Sequence, residues 1–378
     1  MRHLIPSLIA IACATSSTPA ADAPPPPPPA SLAYVRVSPD NTHFVLEKSG
    51  QRIVIWGFNY DRDDAGRLLE DYWADEWDTV AADFREMKDL GANVVRVHLQ
   101  LGKFMTTAEQ PNAESLRRLG KLVRLAEQTG LYLDVTGLGC YHKKDVPPWY
   151  DGLDESARWD VQARFWTAVA TVCKDSPAIF CYDLMNEPVV GGAGEKNDWL
   201  PGKPLGDKHY VQRVTLDPRG RTPQQVARAW VEKLTVAIRA VDDRHLVTVG
   251  VIPWTQVWKN AKPIFYAPEV HGPLDFVSVH FYPKKVPLEE SLAALKAYDV
   301  GKPLVIEEIF PLEAGIEETE QFINASRTQA GVDGWISFYW GKSIDENKQK
   351  GDFVGALMSQ WLPRFSAMSP GRPPERRP

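Results

Sequence analysis

The chain has 378 residues, 44% of them hydrophobic, which is enough for one large core in a single domain. The net charge is −6 and no long basic stretch occurs, which excludes nucleic acid as an expected partner because phosphate binding requires clustered Lys and Arg. The 13 tryptophans fit either core packing or stacking on the apolar face of a sugar ring.

The N-terminal residues have the pattern of an export signal. Arg2 precedes a short apolar run over residues 4–14, and the small-x-small sequence over residues 21–23 fits a cleavage site. Because the run is too short to span a bilayer, we predict a secreted or periplasmic protein without a transmembrane segment. Lipid attachment at Cys13 is the alternative. The predicted organisation is a signal peptide over 1–23, a Pro-rich linker over 24–32, one domain over 33–366 and a disordered tail over 367–378.

Three cysteines remain after removal of the signal, and none of them has the C-x-x-C spacing that is typical of metal sites. Cys140, Cys173 and Cys181 are predicted to be buried free thiols. A disulfide between Cys173 and Cys181 is the alternative, which spacing alone does not decide.

From about Ala33, short apolar runs alternate with amphipathic segments. Two short strands, over 34–37 and 42–46, are expected to form a hairpin beneath the main domain. The predicted helices cover 79–90, 114–129, 155–174, 223–241, 288–298, 317–329 and 353–361. The predicted strands cover 53–58, 93–99, 131–136, 179–185, 245–251, 276–281, 304–308 and 334–340.

This order of elements indicates the fold class. Continuous apolar strands that alternate with helices are typical of a parallel sheet covered on both faces, and eight such units predict a single-domain (β/α)8 barrel. A doubly wound open sheet is the alternative, but it requires a Gly-rich loop after the first strand, where Asn59-Tyr60-Asp61-Arg62 stands instead. A long loop over 188–221, rich in Gly, Asp and Pro, follows the fourth strand.

Polar or aromatic residues follow or end nearly every predicted strand. In a barrel of this class, the carboxyl ends of the strands carry the working residues, so these side chains are expected to share one bowl. They are Asn59, Arg96, His98, Asn186, Glu187, Trp254, His280, Tyr282, Glu307, Glu308 and Trp340.

Two segments resemble a known family. The sequence Leu184-Met185-Asn186-Glu187-Pro188 resembles the Asn-Glu-Pro signature of the retaining glycosidases typified by glycoside hydrolase family 5, the cellulase and mannanase family. The segment over 302–308 resembles that family's seventh strand, where the nucleophile comes five residues after proline. That spacing from Pro303 selects Glu308 over Glu307.

The resemblance covers about residues 50–365 and implies a set of roles. Glu187 would be the acid/base and Glu308 the nucleophile, and no metal or cofactor is expected. Trp340 would form the floor of the sugar site. The expected substrate-binding residues are Arg96, Asn186, His280, Tyr282, Trp340, Asn59, His98 and Trp254.

The chain departs from the family pattern at two places. Ile309-Phe310-Pro311 follows the nucleophile where an aromatic residue and Gly are usual, and Thr136-Gly137 stands where the third strand often ends in histidine. The second departure concerns the substrate. We therefore expect an endo-acting β-1,4-glucanase or mannanase that acts as a monomer on a β-glycan. An exo-acting β-glycosidase and a catalytically silent glycan-binding barrel are the alternatives.

Several neighbouring residues are expected to play no part in the chemistry. By the two-residue period of a strand, Glu307 should point to the opposite face from Glu308. There it is expected to pair with a Lys or Arg between the barrel and a helix. The segment over 61–63 should be a solvated loop. Trp149 and Trp199 could equally line the cleft or pack locally.

Overall fold

The computed structural model describes residues 32–191, 198–258 and 260–371. The predicted signal peptide, Cys13 and most of the predicted linker lie outside the described residues, as does the tail beyond Gly371. Among the described residues, no helix has the length and apolar character needed to cross a bilayer. The chain is packed as far as Ser369, whose buried hydroxyl donates to the Gly91 carbonyl oxygen at 2.7 Å.

Most of the strands lie in one barrel. The strands are β1 Val35–Val37, β2 Phe44–Leu46, β3 Arg52–Ile53, β4 Ile55–Tyr60, β5 Val94–Gln100, β6 Tyr132–Gly139, β7 Ile179–Asp183, β8 Pro188–Val190, β9 Gln212–Thr215, β10 Leu246–Thr248, β11 Gly250–Val251, β12 Val277–His280, β13 Leu304–Ile309 and β14 Val332–Ser337.

The barrel closes through a fifth strand that is made of two short pieces. Parallel neighbours run in the order β10-β7-β6-β5-β4-β14-β13-β12-β11. Because only Val249 separates β10 from β11, these two pieces occupy one position, pairing with β7 on one side and β12 on the other. This arrangement confirms the predicted (β/α)8 fold.

Helices cover the outside of the barrel. They are α1 Leu69–Tyr72, α2 Trp77–Asp89, α3 Leu101–Phe104, α4 Ala113–Thr129, α5 Pro148–Asp151, α6 Glu155–Cys173, α7 Pro223–Arg239, α8 Leu288–Lys296, α9 Ile316–Gln329, α10 Ile344–Lys350 and α11 Phe353–Ala367. The seven longest were predicted from the sequence. The four that were not, α1, α3, α5 and α10, span at most two turns, too few residues for a clear helical period.

Local sequence explains where the long helices begin and end. Thr222 caps α7 through a capping box, because its hydroxyl accepts from the Gln225 amide at 3.2 Å while the Gln225 side chain accepts from the Thr222 amide at 2.8 Å. Pro223 follows at the first helical position, where no amide hydrogen is needed. Helix α4 ends at Gly130, whose φ of +67° suits glycine.

The N-terminal hairpin closes the bottom of the barrel. Strands β1, β2 and β3 form a separate antiparallel sheet. From it, Phe44 inserts between Phe180 and Phe276, and both ring centroids lie 5.2 Å from its own. The predicted hairpin is thus confirmed, and Phe44 fills this end of the barrel.

The loop after β7 is more regular than predicted. Its described part contains the parallel pair β8 and β9, which joins Pro188 to Gln212. Trp199 of this loop is buried, with the Arg158 guanidinium 4.3 Å from its ring centre, and Trp149 packs against the core. Neither tryptophan therefore offers a free face to a ligand.

The cysteines follow the preferred prediction. Cys140, Cys173 and Cys181 are all buried free thiols, and none forms a disulfide. Cys173 lies at the end of α6 and Cys181 in β7.

Candidate active site

Arg96 of β5 organises the barrel mouth. Its guanidinium is fully buried, and Nη1 donates to Glu308 Oε1 at 2.7 Å and to Asn59 Oδ1 at 2.9 Å. Nη2 donates to Asp183 Oδ2 at 2.8 Å and to Asn186 Oδ1 at 3.0 Å. One planar side chain thus contacts four side chains from three other strands and their ends, which suits the rigid geometry of arginine.

Glu308 is held by two donors. Besides Arg96, the Tyr282 hydroxyl donates to Oε2 at 2.5 Å. The carboxyl side chain is only 6% exposed. These two hydrogen bonds hold the carboxyl group of Glu308 in one orientation.

Glu187 lies opposite, directly after the strand that ends at Asp183. Its φ of +48° falls in the left-handed region, which is uncommon for a residue other than glycine and is often found at functional sites. Its amide donates to the Gly250 carbonyl oxygen at 2.9 Å, which secures this conformation. One carboxyl oxygen of Glu187, one of Glu308 and a ring nitrogen of His280 all lie within 4.8 Å of one another.

His280 connects the two sides of the site. Nδ1 lies 2.9 Å from Glu187 Oε1, and Nε2 lies 3.2 Å from Glu307 Oε2. Burial by itself lowers the pKa of His280, but the charge of Glu308 and the hydrogen bonds to Glu187 and Glu307 raise that pKa to about 10. As an imidazolium, His280 can donate through Nδ1 to Glu187 and through Nε2 to Glu307.

The predicted orientation of Glu307 is wrong, because a β-bulge interrupts the strand. Val279 of β12 pairs with Ile306, but the next residue, His280, pairs with Glu308. Because β13 contains one extra residue at this point, its side chains do not alternate between the two faces. Glu307 and Glu308 therefore both face into the barrel.

Glu307 is fully buried in the barrel interior. It accepts a hydrogen bond from Ser278 Oγ at 3.2 Å and lies 3.5 Å from Arg96 Nη2. Burial by itself raises the pKa of Glu307, but the charge of Arg96 and the hydrogen bond from His280 lower that pKa to about 2. Gly250 lies against these groups, and a Cβ there would collide with Glu307 and His280.

Two further carboxyl groups of the barrel interior were not predicted. Burial, followed by the charge of Glu307, raises the pKa of Asp183 to about 6 and that of Asp134 well above its usual range. The available signal was a single charged residue inside each apolar run, Tyr132–Gly139 and Ile179–Asp183.

Three predicted substrate-binding residues support the site from below. Asn59 is fully buried, and its Nδ2 donates to the Glu307 carbonyl oxygen at 2.9 Å. His98 is 2% exposed and pairs through Nδ1 with the Tyr141 hydroxyl at 2.6 Å. Burial and the charge of Arg96 lower the pKa of His98 well below its usual range, so its ring is neutral. Arg96, Asn59 and His98 thus position the groups that face the bowl.

The prediction for Trp340 does not fit the structure. Its ring is fully buried and packs edge-on against Phe58 at 5.6 Å between centroids, so it cannot form the floor of a sugar site. Phe338, two residues earlier, is half-buried and lies 6.4 Å from the Tyr282 ring. Strand β14 ends at Ser337, earlier than predicted, and the amide of Phe338 donates to the Ile309 carbonyl oxygen at 3.0 Å, one residue after Glu308.

Trp254 lies at the edge of a different feature. It begins a short 3-10 helix over Trp254–Gln256 and stacks on Trp258, with 4.9 Å between ring centroids. The two rings border an apolar cavity of about 580 Å³ that begins at Pro188, the residue after Glu187, and extends to Phe265.

Asp61 is not the solvated residue that was predicted. It is 1% exposed, and neither carboxyl oxygen has a hydrogen-bond partner among the described residues. Burial raises the pKa of Asp61 to about 6, although Arg62 lowers it, while the charge of Glu308 adds to the increase.

Comparison with known proteins places the chain in a family. A family model described as Cellulase (glycosyl hydrolase family 5) matches residues 46–341. The chain belongs to glycoside hydrolase family 5.

Other members resemble this family 5 chain at low identity. It is 28% identical over 125 residues to mannan endo-1,4-beta-mannosidase 2 of Oryza sativa subsp. japonica. The matched region covers 29% of this chain and 22% of the relative. It is 23% identical over 285 residues to mannan endo-1,4-beta-mannosidase A of Emericella nidulans, which covers 68% of this chain and 64% of the relative. The chain thus spans less than two thirds of the length of these curated relatives.

Solved structures show the same fold. The family 5 chain matches an exo-beta-1,4-mannosidase from an Opitutaceae bacterium with a TM-score of 0.64 at 18% identity, over 86% of this chain and 61% of that one. It matches a beta-1,4-mannanase from the sea hare Aplysia kurodai with a TM-score of 0.61 at 17% identity, over 89% of this chain and 98% of that one.

Proposed function

We propose that the protein is a retaining β-glycosidase in which Glu308 is the nucleophile and Glu187 the acid/base. The observation that carries this proposal is the distance between the two carboxyl groups. Their nearest oxygens lie within 4.8 Å, which suits the roughly 5–5.5 Å of retaining enzymes better than the roughly 6.5–9.5 Å of inverting ones.

The reaction proceeds in two displacements. In the first, Glu308 attacks the anomeric carbon, the bond to the leaving oxygen breaks, and Glu187 gives that oxygen its proton. In the second, Glu187 takes a proton from water, and the water oxygen attacks the same carbon. The bond between that carbon and Glu308 breaks in the same displacement, which releases a sugar with its original configuration. Arg96 and Tyr282 hold Glu308 in line throughout.

The proposed substrates are β-1,4-linked mannosides. Support comes from the relatives, since mannan endo-1,4-beta-mannosidases from a plant and a fungus match this chain at 28% and 23% identity. The sequence-based expectation of endo action remains a prediction. We also propose export from the cytoplasm, which rests on the N-terminal sequence alone.

Azide rescue tests both catalytic roles. With dinitrophenyl β-mannoside as substrate, Glu308→Ala should be rescued by azide, which forms the α-mannosyl azide in one displacement. Glu187→Ala should form the β-mannosyl azide, because the enzyme ester still forms first. NMR of the products distinguishes the two. Formation of neither azide, or release of α-mannose by the wild type, would contradict the mechanism.

A silent glycan-binding barrel is the competing function. The carboxylates, their spacing and the donors to Glu308 are all retained, which argues against loss of catalysis. Absence of turnover on every aryl β-glycoside and β-glycan, with sugar binding intact, would favour this alternative.

A further inference from the structure

Asp61 points into the same bowl as the proposed nucleophile. Asn59 faces the barrel interior, where it accepts from Arg96, and Tyr60 faces outward, where its hydroxyl donates to Asp83. Asp61 is the first residue after β4, at the mouth end of this strand, and is only 1% exposed. Its charge environment agrees, because Glu308 and Arg96 both influence the pKa of Asp61.

The Asp61 carboxyl is buried without hydrogen bonds, which is unfavourable for folding. Both oxygens lack a hydrogen-bond partner among the described residues, and Arg62 Nε approaches Oδ2 only to 3.9 Å. A buried carboxylate in this condition is normally paired or satisfied by a ligand. Sugar hydroxyl groups are suitable donors, and hydrogen bonds of this kind to a carboxylate are strong.

Lys208 is a buried cation close enough to Asp61 for its charge to affect that carboxyl group. It belongs to a loop segment whose neighbours Leu205 and Asp207 are exposed, yet its own side chain is only 6% exposed. Among the described residues, its Nζ forms an ion pair with Asp207 Oδ1 at 3.4 Å, and its charge lowers the pKa of Asp61. Most surface lysines extend into water, so this position indicates a specific partner.

The segment over 208–212 crosses the mouth of the barrel on this side. The His209 amide donates to the Tyr141 carbonyl oxygen at 2.7 Å, and the Tyr210 carbonyl oxygen accepts from Asn186 Nδ2 at 3.0 Å. The Tyr210 ring then reaches Phe338, at 6.3 Å between centroids. The segment therefore spans from the ends of β6 and β7 to the end of β14, on the side of the mouth where Phe338 lies.

We propose that Asp61 and Lys208 bind hydroxyl groups of the sugar unit attacked by Glu308, and that the segment over 208–212 makes this unit the non-reducing end of the substrate. The enzyme would then remove a terminal neutral hexose instead of cutting within a chain. This inference rests on the proposed function and specifies its substrate.

The first experiment compares Asp61→Asn with wild type on p-nitrophenyl β-mannoside and its 2-, 3-, 4- and 6-deoxy analogues. Loss of hydrogen bonds to a charged group predicts a fall in kcat/KM of roughly 10- to 100-fold on the parent sugar. The fall should be smaller on the analogue that lacks the hydroxyl bound by Asp61. An equal fall on all analogues, or no fall, would overturn the proposal.

Thermal unfolding separates binding from a structural role. Because ionised Asp61 is buried without hydrogen bonds, Asp61→Asn should raise Tm at neutral pH while it lowers kcat/KM. A fall in both would assign Asp61 a structural role and overturn the proposal. The matched control is Asp63→Asn in the same loop, where Asp63 accepts from the Arg67 Nε at 2.7 Å and its loss should leave kcat/KM unchanged.

The second experiment tests terminal action directly. Mannohexaose labelled with ¹⁸O at its reducing end should yield mannose and labelled mannopentaose as first products, and internal cleavage would overturn the terminal assignment. Lys208→Met should raise KM for p-nitrophenyl β-mannoside, whereas Lys203→Met in the exposed part of the loop should not. An unchanged KM for Lys208→Met would remove Lys208 from the site.

Failure of the proposed function gives a different result. If wild type hydrolyses no glycoside, binding of mannotriose to wild type and to Asp61→Asn is measured by calorimetry. Weaker binding by the variant would still support the assignment of Asp61, and equal binding would overturn it.

Discussion

The two sides of the catalytic pair differ in chemistry. Beyond Glu308, the walls are polar and buried, with Asp61 and Lys208 as charged groups of fixed position. Beyond Glu187, a cavity of about 580 Å³ is bordered by the stacked rings of Trp254 and Trp258. Because hydrogen bonds discriminate between sugars more strongly than apolar contacts do, we expect strict selection of the attacked sugar and tolerance of the leaving group.

The largest expected effect contrasts the two glutamates. Glu308→Gln should lower kcat by roughly ten-thousand-fold or more on every substrate, because no other group forms the glycosyl ester. Glu187→Gln should lower kcat by about 100- to 10,000-fold on mannobiose, whose leaving group needs a proton. On dinitrophenyl β-mannoside, whose leaving group needs no proton, Glu187→Gln should lower the rate constant of the first displacement only slightly. Pre-steady-state release of dinitrophenol measures this rate constant. A large loss there would contradict the role of Glu187.

The second prediction separates two aromatic residues on the Glu308 side. Trp340→Ala should lower the free energy of unfolding by about 3–5 kcal/mol, because it empties a fully buried site. Phe338→Ala should lower that free energy by only about 1 kcal/mol, because its ring is half-buried.

Activity should show the reverse order. Phe338→Ala should reduce kcat/KM by about 3- to 10-fold through lost contact with the sugar, as expected for one aromatic contact. Urea unfolding and initial rates on p-nitrophenyl β-mannoside give both values. If Phe338→Ala is fully active, this residue does not face the substrate.

A third prediction concerns the apolar side. Trp258 is 59% exposed, so Trp258→Ala should hardly change stability, but it should raise KM for mannotriose by about 2- to 10-fold through loss of stacking. The effect should be smaller with methyl β-mannoside, whose leaving group is too small to reach the ring. Phe353→Ala, at another exposed aromatic residue, is the control, and an equal change there would contradict the assignment.

The smallest expected effect is on pH dependence at the boundary between the two sides. The pKa of His280 is raised to about 10, so its stabilising contribution is complete below pH 6.5 and is lost as pH rises toward 10. The pKa of Glu307 is lowered to about 2, so its contribution is present above pH 4.5 and is lost as pH falls toward 2.

Replacement of Glu307 by Gln should therefore change both limits. The loss of stability in acid should diminish, and the loss in alkali should begin at lower pH because His280 keeps fewer negative partners. Urea unfolding at a series of pH values measures this, with the exposed Glu289→Gln as control. An unchanged alkaline limit would show that Glu307 does not hold the proton of His280.

Much of the fold and the central pair followed from local sequence. Continuous apolar strands separated by amphipathic helices indicated the barrel, because strands buried on both faces are typical of parallel sheets covered by helices. The resemblance of the Asn-Glu-Pro sequence and of the segment after Pro303 to family 5 motifs indicated Glu187 and Glu308 at strand ends. In the structure, these carboxyls have oxygens within 4.8 Å of each other.

Other features were decided only by tertiary structure. The inward orientation of Glu307 depends on a bulge opposite His280, which the two-residue period cannot reveal. Trp340 was predicted to line the site, but Phe338 lies there instead. This difference depends on where β14 ends against its neighbours. The burial of Asp61 depends on a segment about 150 residues away in sequence that folds across the mouth. Local sequence encodes strand periodicity and helix ends, whereas register shifts and loop crossings arise from contacts between distant residues once the barrel closes.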